Sequence, residues 1–345
     1  MKSPVRITNQ TWPDSTTPVV SVFNWVYNHK DFIRESIESI LMQETTFPVE
    51  IIIQDDASND GTREIIEEYQ EKYPHLFNNI LFSENQYSEG KSIMNGLFEK
   101  PRGKYIALTH GDDYWTDPLK LQKQVEFLEA NEGFSGVFHN QFVINSLDGI
   151  QWNFVNKIMD PVPELNQVVT FDDILQGKYR VPTRTILYER ELYNGDIIIN
   201  EKFLIGDLPS DFILTNCKPL FYFNEYMATY RLHENGISNN KDVLNVVQRR
   251  IIYFRTWIVI FDWAYHYANF GKYESYKRGI DLYYKNFIKS NQSVKTNLII
   301  FKNVISLNSK RKIFIKEKFR FIIFQSKSLV LFLLKRMLLN KIKSE

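Results

Sequence analysis

The chain has 345 residues, with 42 Lys and Arg, 41 Asp and Glu, and 43% hydrophobic residues. This is enough apolar chain for one large domain or two moderate ones, and it excludes disordered, collagen-like and low-complexity proteins. The single cysteine, Cys217, excludes an intrachain disulfide framework and fits a reducing compartment. The first twenty residues lack the apolar core of a secretory signal, so the sequence predicts a cytoplasmic protein.

The elements can be predicted in chain order from the spacing of apolar residues. The predicted strands are 19–23, 49–53, 80–82, 105–109 and 136–145, and the predicted helices are 30–43, 63–72, 91–99 and 119–130. Strands that alternate with helices predict an α/β protein with a mostly parallel sheet covered on both faces. Such sheets bind ligands beyond the carboxyl ends of their strands. We expect residues 1–17 to be an N-terminal extension and residues 18–240 to be one domain.

Two acidic clusters follow predicted strands. Asp55, Asp56 and Asp60 follow the second strand, and Asp112 and Asp113 follow the fourth. Adjacent carboxylates at such a place suit Mg²⁺ or Mn²⁺, which take one or two protein oxygens and complete their shell with phosphate and water. For either cluster alone, the alternative is turn formation or helix N-capping. The coincidence of the two clusters predicts a polar ligand at this edge of the sheet.

The charge is unevenly distributed along the chain. Residues 285–345 contain 15 Lys and Arg but only Glu317 and Glu345 as acids, so they carry +13 and the first 284 residues carry −12. The segment is also apolar, although basic residues interrupt it before it reaches the length of a membrane span. The pattern predicts that residues 241–345 form a helical, basic region in peripheral contact with an anionic membrane surface, without binding nucleic acid. The alternative is a helix that packs on the rest of the protein, with lysines at its edge.

Several motifs together resemble a known family. They are Val20-Ser21-Val22, Tyr27-Asn28, the run from Asp55 to Thr62, the run from Gly111 to Trp115, Gly206-Asp207 and Tyr230-Arg231-Leu232-His233. In this order and spacing they are similar to the inverting family 2 glycosyltransferases, over about residues 18–235. The resemblance implies the GT-A fold, in which a Rossmann-like, mixed but mostly parallel sheet binds a nucleotide-diphospho-sugar.

The resemblance implies roles for the acidic clusters. Asp56 would contact the nucleotide base, with Asp55 nearby. Asp113 would ligate a divalent metal, Mn²⁺ or Mg²⁺, and Asp112 would face the ribose or the second shell of the metal. The metal would offset the negative charge that develops on the departing nucleoside diphosphate.

The resemblance also implies roles for residues of the second half of the chain. Asp207 occupies the place of the catalytic base, which takes the proton of the acceptor hydroxyl on the face opposite the leaving group. Asp211 is the alternative base, because it lies one helical turn further on. Arg231 and His233 match positions near the donor diphosphate, and Lys91 would also reach it.

The implied activity is metal-dependent, inverting transfer of a sugar from a nucleotide-diphosphate donor, UDP-linked, to a glycan or polyprenyl-linked acceptor. Surface polysaccharide synthesis at the inner face of the cell membrane would be its setting. Two alternatives stay open: a non-catalytic nucleotide-sugar-binding or scaffold protein, and a sugar nucleotidyltransferase. The second is less favoured because residues 24–30, after the first strand, contain no glycine-rich loop.

Overall fold

The computed structural model describes residues 3–13, 15–89, 93, 95–146, 151–153, 167–175, 178–192, 207–234 and 236. Lys91 and the C-terminal region 241–345 lie outside these residues, so the predictions about that lysine and about membrane contact stay predictions. Over the part of the chain that the structure describes, no helix has the length and apolar character needed to cross a membrane.

The described residues form strands and helices that alternate in the first half of the chain, as predicted. The strands are β1 (Val5–Arg6), β2 (Val20–Val26), β3 (Glu44–Thr45), β4 (Val49–Asp55), β5 (Ile80–Leu81), β6 (Tyr105–His110), β7 (Tyr114–Trp115), β8 (Gly136–Asn145), β9 (Gln151–Asn153), β10 (Gln167–Val169), β11 (Leu187–Glu189) and β12 (Leu220–Leu232). The α-helices are α1 (Lys30–Leu41), α2 (Thr62–Lys72), α3 (Asn95–Glu99), α4 (Lys120–Ala130), α5 (Phe171–Leu175) and α6 (Asp207–Cys217).

A ten-stranded sheet organises these elements. Its strand order is β10-β12-β8-β11-β6-β2-β4-β5, with β7 paired to β12 and β9 paired to β8. Strands β6, β2, β4 and β5 are parallel neighbours, and β12 is parallel to β8. Strand β11 lies between β6 and β8 and is antiparallel to both. The mostly parallel sheet is therefore confirmed, and the carboxyl ends of β2, β4 and β6 meet at one edge.

Both faces of the sheet are buried at its central strands. Strands β2 and β4 are almost entirely buried, as expected of parallel strands with helices on either side. Because side chains alternate along a strand, Phe23 and Ile52 join one core cluster together with Phe212 of α6. Val22 and Ile53 join the other cluster. This packing holds the carboxyl ends of β2 and β4 in fixed positions.

Lys120, at the start of α4, is fully buried. Its Nζ donates to Oε1 of Gln124 at 2.7 Å and lies 4.2 Å from the ring centre of Trp115. Burial lowers the pKa of Lys120 to about 7, from an ordinary value of 10.5, although the charge of Asp117 opposes the change. Because the unfolded chain binds this proton more tightly, the charged lysine costs stability below about pH 7, and the cost disappears as the pH rises toward 10.5.

Replacing Lys120 with methionine is expected to remove this pH dependence. The difference in free energy of unfolding between the variant and the native protein should favour the variant more at about pH 6 than at about pH 10. The change between the two pH values should be up to about 4 kcal/mol. Unfolding midpoints in a pH series measure the difference. Lys123→Met is the control, because Lys123 is half-exposed and paired with Asp117 and Glu225, so its loss should bring no gain near neutral pH. If the unfolding midpoints of the native protein and Lys120→Met differ by the same amount at every pH, the prediction is contradicted.

Candidate active site

A cavity of about 540 Å³ opens at the carboxyl ends of β2, β4 and β6. Its walls also include residues from 85–88, from 181–188 and from the end of β12, together with Ser210, Asp211 and Leu214 of α6. This volume suits a small-molecule ligand. The acidic clusters predicted from the sequence therefore meet a single cavity, at the edge of the sheet where a ligand was expected.

Asp55 is the last residue of β4 and precedes a turn. It is fully buried, and its carboxylate accepts hydrogen bonds from Nε and Nη2 of Arg63 at 3.0 and 2.9 Å and from the hydroxyl of Ser58. The turn contains Ala57 at a φ of 61°, a left-handed conformation that is uncommon for a residue with a Cβ atom. These contacts stabilise the turn. The predicted position of Asp55 near a nucleotide base stays a prediction.

Asp56, the next residue, lines the cavity. Its Oδ1 accepts the backbone N–H of Gln86 at 2.7 Å, and its Oδ2 accepts that of Tyr87 at 3.1 Å. Each carboxylate oxygen keeps a further lone pair. Tyr87 and Tyr27 are exposed and also line this end of the cavity. An N–H group of a ligand at this end of the cavity could therefore donate to Asp56.

Asp112 and Asp113 make contacts with different groups. The Asp112 side chain is 17% exposed, and its Oδ2 lies 3.1 Å from Nε2 of His233 and 3.9 Å from Nε2 of His29. The Asp113 side chain is 1% exposed. Its Oδ1 accepts the backbone N–H of Arg231 at 3.0 Å, and its Oδ2 lies 2.6 Å from Nε of Arg184, in an ion pair whose angle falls short of a hydrogen bond. Asp112 is thus the more accessible carboxylate.

The charge states of this cluster follow from its contacts. Burial would raise the pKa of Asp112, but the hydrogen bond from His233 and the neighbouring His29 hold it below its ordinary range. Burial lowers the pKa of His29, although Asp112 opposes the change. Burial also raises the pKa of Asp113, against the charge of Arg184. At neutral pH an ionised Asp112 therefore faces a neutral His29, and both groups are in the form that a metal ligand requires.

Gly111 makes this arrangement possible. A Cβ atom at this position would lie 2.7 Å from Nδ1 of His29 and 2.9 Å from Cγ2 of Val26. Real Cβ atoms do not make such close contacts, so a larger residue would push His29 away from Asp112. The packing of His29 and Val26 therefore requires a glycine immediately before Asp112.

The cluster fits a metal that also binds phosphate. Within the described residues, no group of three His, Cys, Asp or Glu side chains is arranged to hold a metal ion. Asp112 and His233 offer one carboxylate oxygen and one ring nitrogen in the cavity. Mg²⁺ and Mn²⁺ in phosphate-binding sites need only such a partial set of protein ligands, because phosphate and water complete the shell. The residues present are compatible with such an ion.

Arg231 lies beside the cluster. Its guanidinium lies 4.9 Å from the ring centres of both Phe32 and Tyr114, and it forms an ion pair with Glu35. Its Nη1 donates to the backbone oxygen of Asp112 at 3.0 Å. The structure therefore brings Arg231 and His233 to Asp112, across more than a hundred residues of sequence.

The other half of the cavity contains residues that the sequence analysis did not select. Trp25 and His110 stack there with ring centres 5.5 Å apart, and Arg184 extends from a 3-10 turn, Thr183–Thr185. His29, which was also not selected from the sequence, lies next to Asp112. Its position directly after Tyr27-Asn28 was a usable signal, whereas the irregular segment around Arg184 offered none.

The predicted bases lie on α6. Asp207 is the first residue of this helix, and its side chain lies outside the described part of the structure. Asp211, one turn further on, is buried and lines the cavity. The helix that carries both carboxylates therefore borders the cavity, and the choice between the two bases stays a prediction.

Comparison with known proteins identifies the family. The profile of the family described as Glycosyl transferase family 2 matches residues 21–186. The protein TuaG of Bacillus subtilis, whose name assigns it to teichuronic acid biosynthesis as a glycosyltransferase, is 31% identical over 226 residues, which cover 65% of this chain and 83% of TuaG. The chain belongs to glycosyl transferase family 2. Family membership and the described sheet confirm the predicted resemblance and the GT-A fold.

Two further relatives of this family 2 chain differ in coverage. An uncharacterized protein of Mycobacterium tuberculosis is 34% identical over 224 residues, 63% of this chain and 60% of that protein. The match therefore spans less than two thirds of the length of this relative. WfaP of Escherichia coli, named a UDP-Glc:alpha-D-GlcNAc-diphosphoundecaprenol beta-1,3-glucosyltransferase, is 35% identical over 117 residues, 34% of this chain and 43% of WfaP.

Proposed function

We propose that this protein transfers a sugar, with inversion, from a nucleotide-diphosphate donor to a glycan or lipid-linked acceptor. The observation that carries the proposal is the single cavity in which Asp112 meets His29 and His233. Asp56 and two exposed tyrosines lie at one end of it, and α6 borders it with Asp211. A nucleotide sugar would fit these groups in the same order: its base at Asp56 and the tyrosines, its diphosphate at Asp112 and the histidines, and its sugar beside α6. Family membership supports the same reaction class.

We place the divalent metal on Asp112 and His233 instead of on Asp113, where the resemblance suggested it. Both oxygens of Asp113 already contact Arg184 or the Arg231 backbone in a buried setting, whereas Asp112 is ionised and partly accessible. When bound there, Mn²⁺ or Mg²⁺ would neutralise charge on the donor diphosphate. Arg231, fixed by its contact with the Asp112 backbone, adds a further positive charge near the leaving group.

The proposed chemistry needs a base and a dry site. The acceptor hydroxyl attacks the anomeric carbon while the C–O bond to the diphosphate breaks, and a carboxylate takes the hydroxyl proton. We assign this role to Asp207, with Asp211 as the alternative on the same helix. The apolar residues Leu108, Ile186 and Leu214 line this half of the cavity, are themselves buried, and would exclude water from the reacting atoms.

We propose UDP as the nucleotide and a polyprenyl-linked glycan as the acceptor. The name of WfaP supports this choice, because it states a UDP-sugar donor and a diphosphoundecaprenol acceptor. The name of TuaG states teichuronic acid biosynthesis, which supports a glycan product. The basic region 285–345 suits an anionic membrane surface, where each Lys or Arg contributes about 1 kcal/mol to binding. Peripheral attachment at the cytoplasmic face would place the enzyme beside such an acceptor.

The test is slow hydrolysis of nucleotide sugars, which needs no knowledge of the acceptor. A panel of UDP-, GDP- and dTDP-sugars is incubated with the full chain, with and without Mn²⁺, and release of the nucleoside diphosphate is measured. We expect one UDP-sugar to be hydrolysed only when metal is present. The non-catalytic alternative predicts binding of a nucleotide sugar without hydrolysis, and failure to bind any member of the panel would reject the proposed function altogether.

A further inference from the structure

Arg184 is an almost fully buried cation that borders the cavity. Its side chain is 11% exposed, and its Nε lies 2.6 Å from Oδ2 of Asp113. The guanidinium carbon lies 4.1 Å from the ring centre of Tyr230, and Nη1 donates to Oε1 of Gln141 at 3.2 Å. The backbone oxygen of Arg184 accepts the indole N–H of Trp115 at 3.0 Å. Backbone and side chain are therefore both fixed in position.

One terminal nitrogen of this guanidinium is left for a ligand. An arginine has five N–H donors: Nη1 donates one to Gln141, and Nε faces Asp113 in the ion pair described above. Among the residues that the structure describes, none accepts a hydrogen bond from Nη2. Nη2 is not among the fully buried polar atoms that lack a partner, so it keeps accessible surface, and Arg184 lines the cavity; a ligand there could accept a hydrogen bond from Nη2.

The charge of Arg184 points to a neutral acceptor group. Asp113 is paired with it in a nearly water-free setting, so most of its attraction for an anion is already compensated. The N–H groups of Arg184 nevertheless remain directional hydrogen-bond donors. A neutralised guanidinium of this kind suits a hydroxyl or carbonyl oxygen better than a phosphate.

The position of Arg184 points to the sugar part of the donor. Asp112 faces the histidines where the diphosphate is placed, whereas the adjacent Asp113 contacts Arg184. Ser210 and Asp211 of α6 line the same cavity. The sugar must lie between the diphosphate and the helix that carries the base, because both the base and the leaving group act at its anomeric carbon.

We infer that Arg184 hydrogen-bonds a hydroxyl or carbonyl oxygen of the donor sugar and thereby determines which nucleotide sugar is accepted. The inference rests on the proposed function, since it needs a nucleotide-sugar donor in this cavity. It makes Arg184 a specificity-determining residue that contacts the substrate, not a group that binds the nucleotide.

The experiment compares binding of UDP with binding of the UDP-sugar that the native protein prefers, by calorimetry with Mn²⁺. The main variant is Arg184→Lys, which keeps a cation for Asp113 but lacks the second terminal nitrogen. We expect its affinity for UDP to stay within about twofold of native, while the extra affinity that the sugar provides falls about tenfold or more. Preference among UDP-sugars should weaken in the same variant.

Arg102→Lys is the matched control, because Arg102 also pairs with a buried carboxylate, Glu50 at 2.9 Å, and does not line the cavity. It should leave both affinities unchanged, and unfolding midpoints show that each variant is folded. A loss of UDP affinity in Arg184→Lys would place the residue at the diphosphate and overturn the inference, as would unchanged affinities for both ligands. If the native protein binds no nucleotide sugar of the UDP-, GDP- and dTDP-panel, the proposed function fails first; if it binds a GDP- or dTDP-sugar instead, the same comparison is made with that donor and its nucleoside diphosphate.

Discussion

Replacing Asp112 with asparagine is expected to reduce metal-dependent hydrolysis of the donor by about a hundredfold to a thousandfold. Asparagine keeps the size of the side chain but removes the charge that the metal requires, and electrostatic stabilisation by a metal contributes several kcal/mol to such reactions. The Mn²⁺ concentration that gives half-maximal activity should rise as well. A Mn²⁺ titration of hydrolysis, at fixed donor concentration, measures both effects.

Asp113→Asn is the comparison that decides between the two carboxylates. This substitution leaves the buried Arg184 without a charged partner, so the unfolding midpoint should fall while the half-maximal Mn²⁺ concentration changes little. The reverse pattern, a large shift in the Mn²⁺ requirement for Asp113→Asn and none for Asp112→Asn, would restore the assignment that the family resemblance suggested. A His233→Gln variant should resemble Asp112→Asn, because both residues contribute to the same partial ligand set.

The second large effect is expected at α6. Asp207→Asn should lower the turnover number about a hundredfold to ten-thousandfold, because an amide cannot take the proton of the attacking acceptor hydroxyl, or of the water that replaces the acceptor in donor hydrolysis. Affinity for the UDP-sugar should stay close to native, since a base contributes to the transition state and not to ground-state binding. Donor hydrolysis at saturating substrate and calorimetric binding measure the two quantities separately.

Asp211→Asn is the matched variant for this experiment, one helical turn away on the same cavity-bordering helix. If Asp207 is the base, Asp211→Asn should keep turnover within about tenfold of native. A loss confined to Asp211→Asn would move the base to that residue. Equal and small effects of both substitutions would show that neither carboxylate takes the proton, and the inverting mechanism would need another base.

The elements of the first half of the chain could be predicted because their cause is local. Strand β4 contains the β-branched run 51–53, and helix α1 repeats Ile33, Ile37 and Ile40 at helical spacing. Periods of two and about four residues identify the faces that must be buried. Segments without such a period, as around Arg184, allowed no comparable prediction.

The two acidic pairs show where local reasoning stops. Sequence placed each pair at a strand end, but the partner that engages each carboxylate comes from elsewhere in the fold. Asp55 contacts Arg63 while Asp56 meets the backbone at Gln86, and Asp113 is paired with Arg184 while Asp112 meets His233. Which member of a pair faces the cavity depends on those distant partners, so it cannot be read from the motif.

The sequence by itself determined the α/β architecture, the edge of the sheet where the site lies and the family, since apolar periodicity and the order of motifs are properties of the chain alone. Only the tertiary structure decided which carboxylate stays accessible, that His29 joins the cluster, and that Arg184 lines the cavity beside Asp113. The physical reason is that burial and charge pairing depend on contacts between residues far apart in sequence.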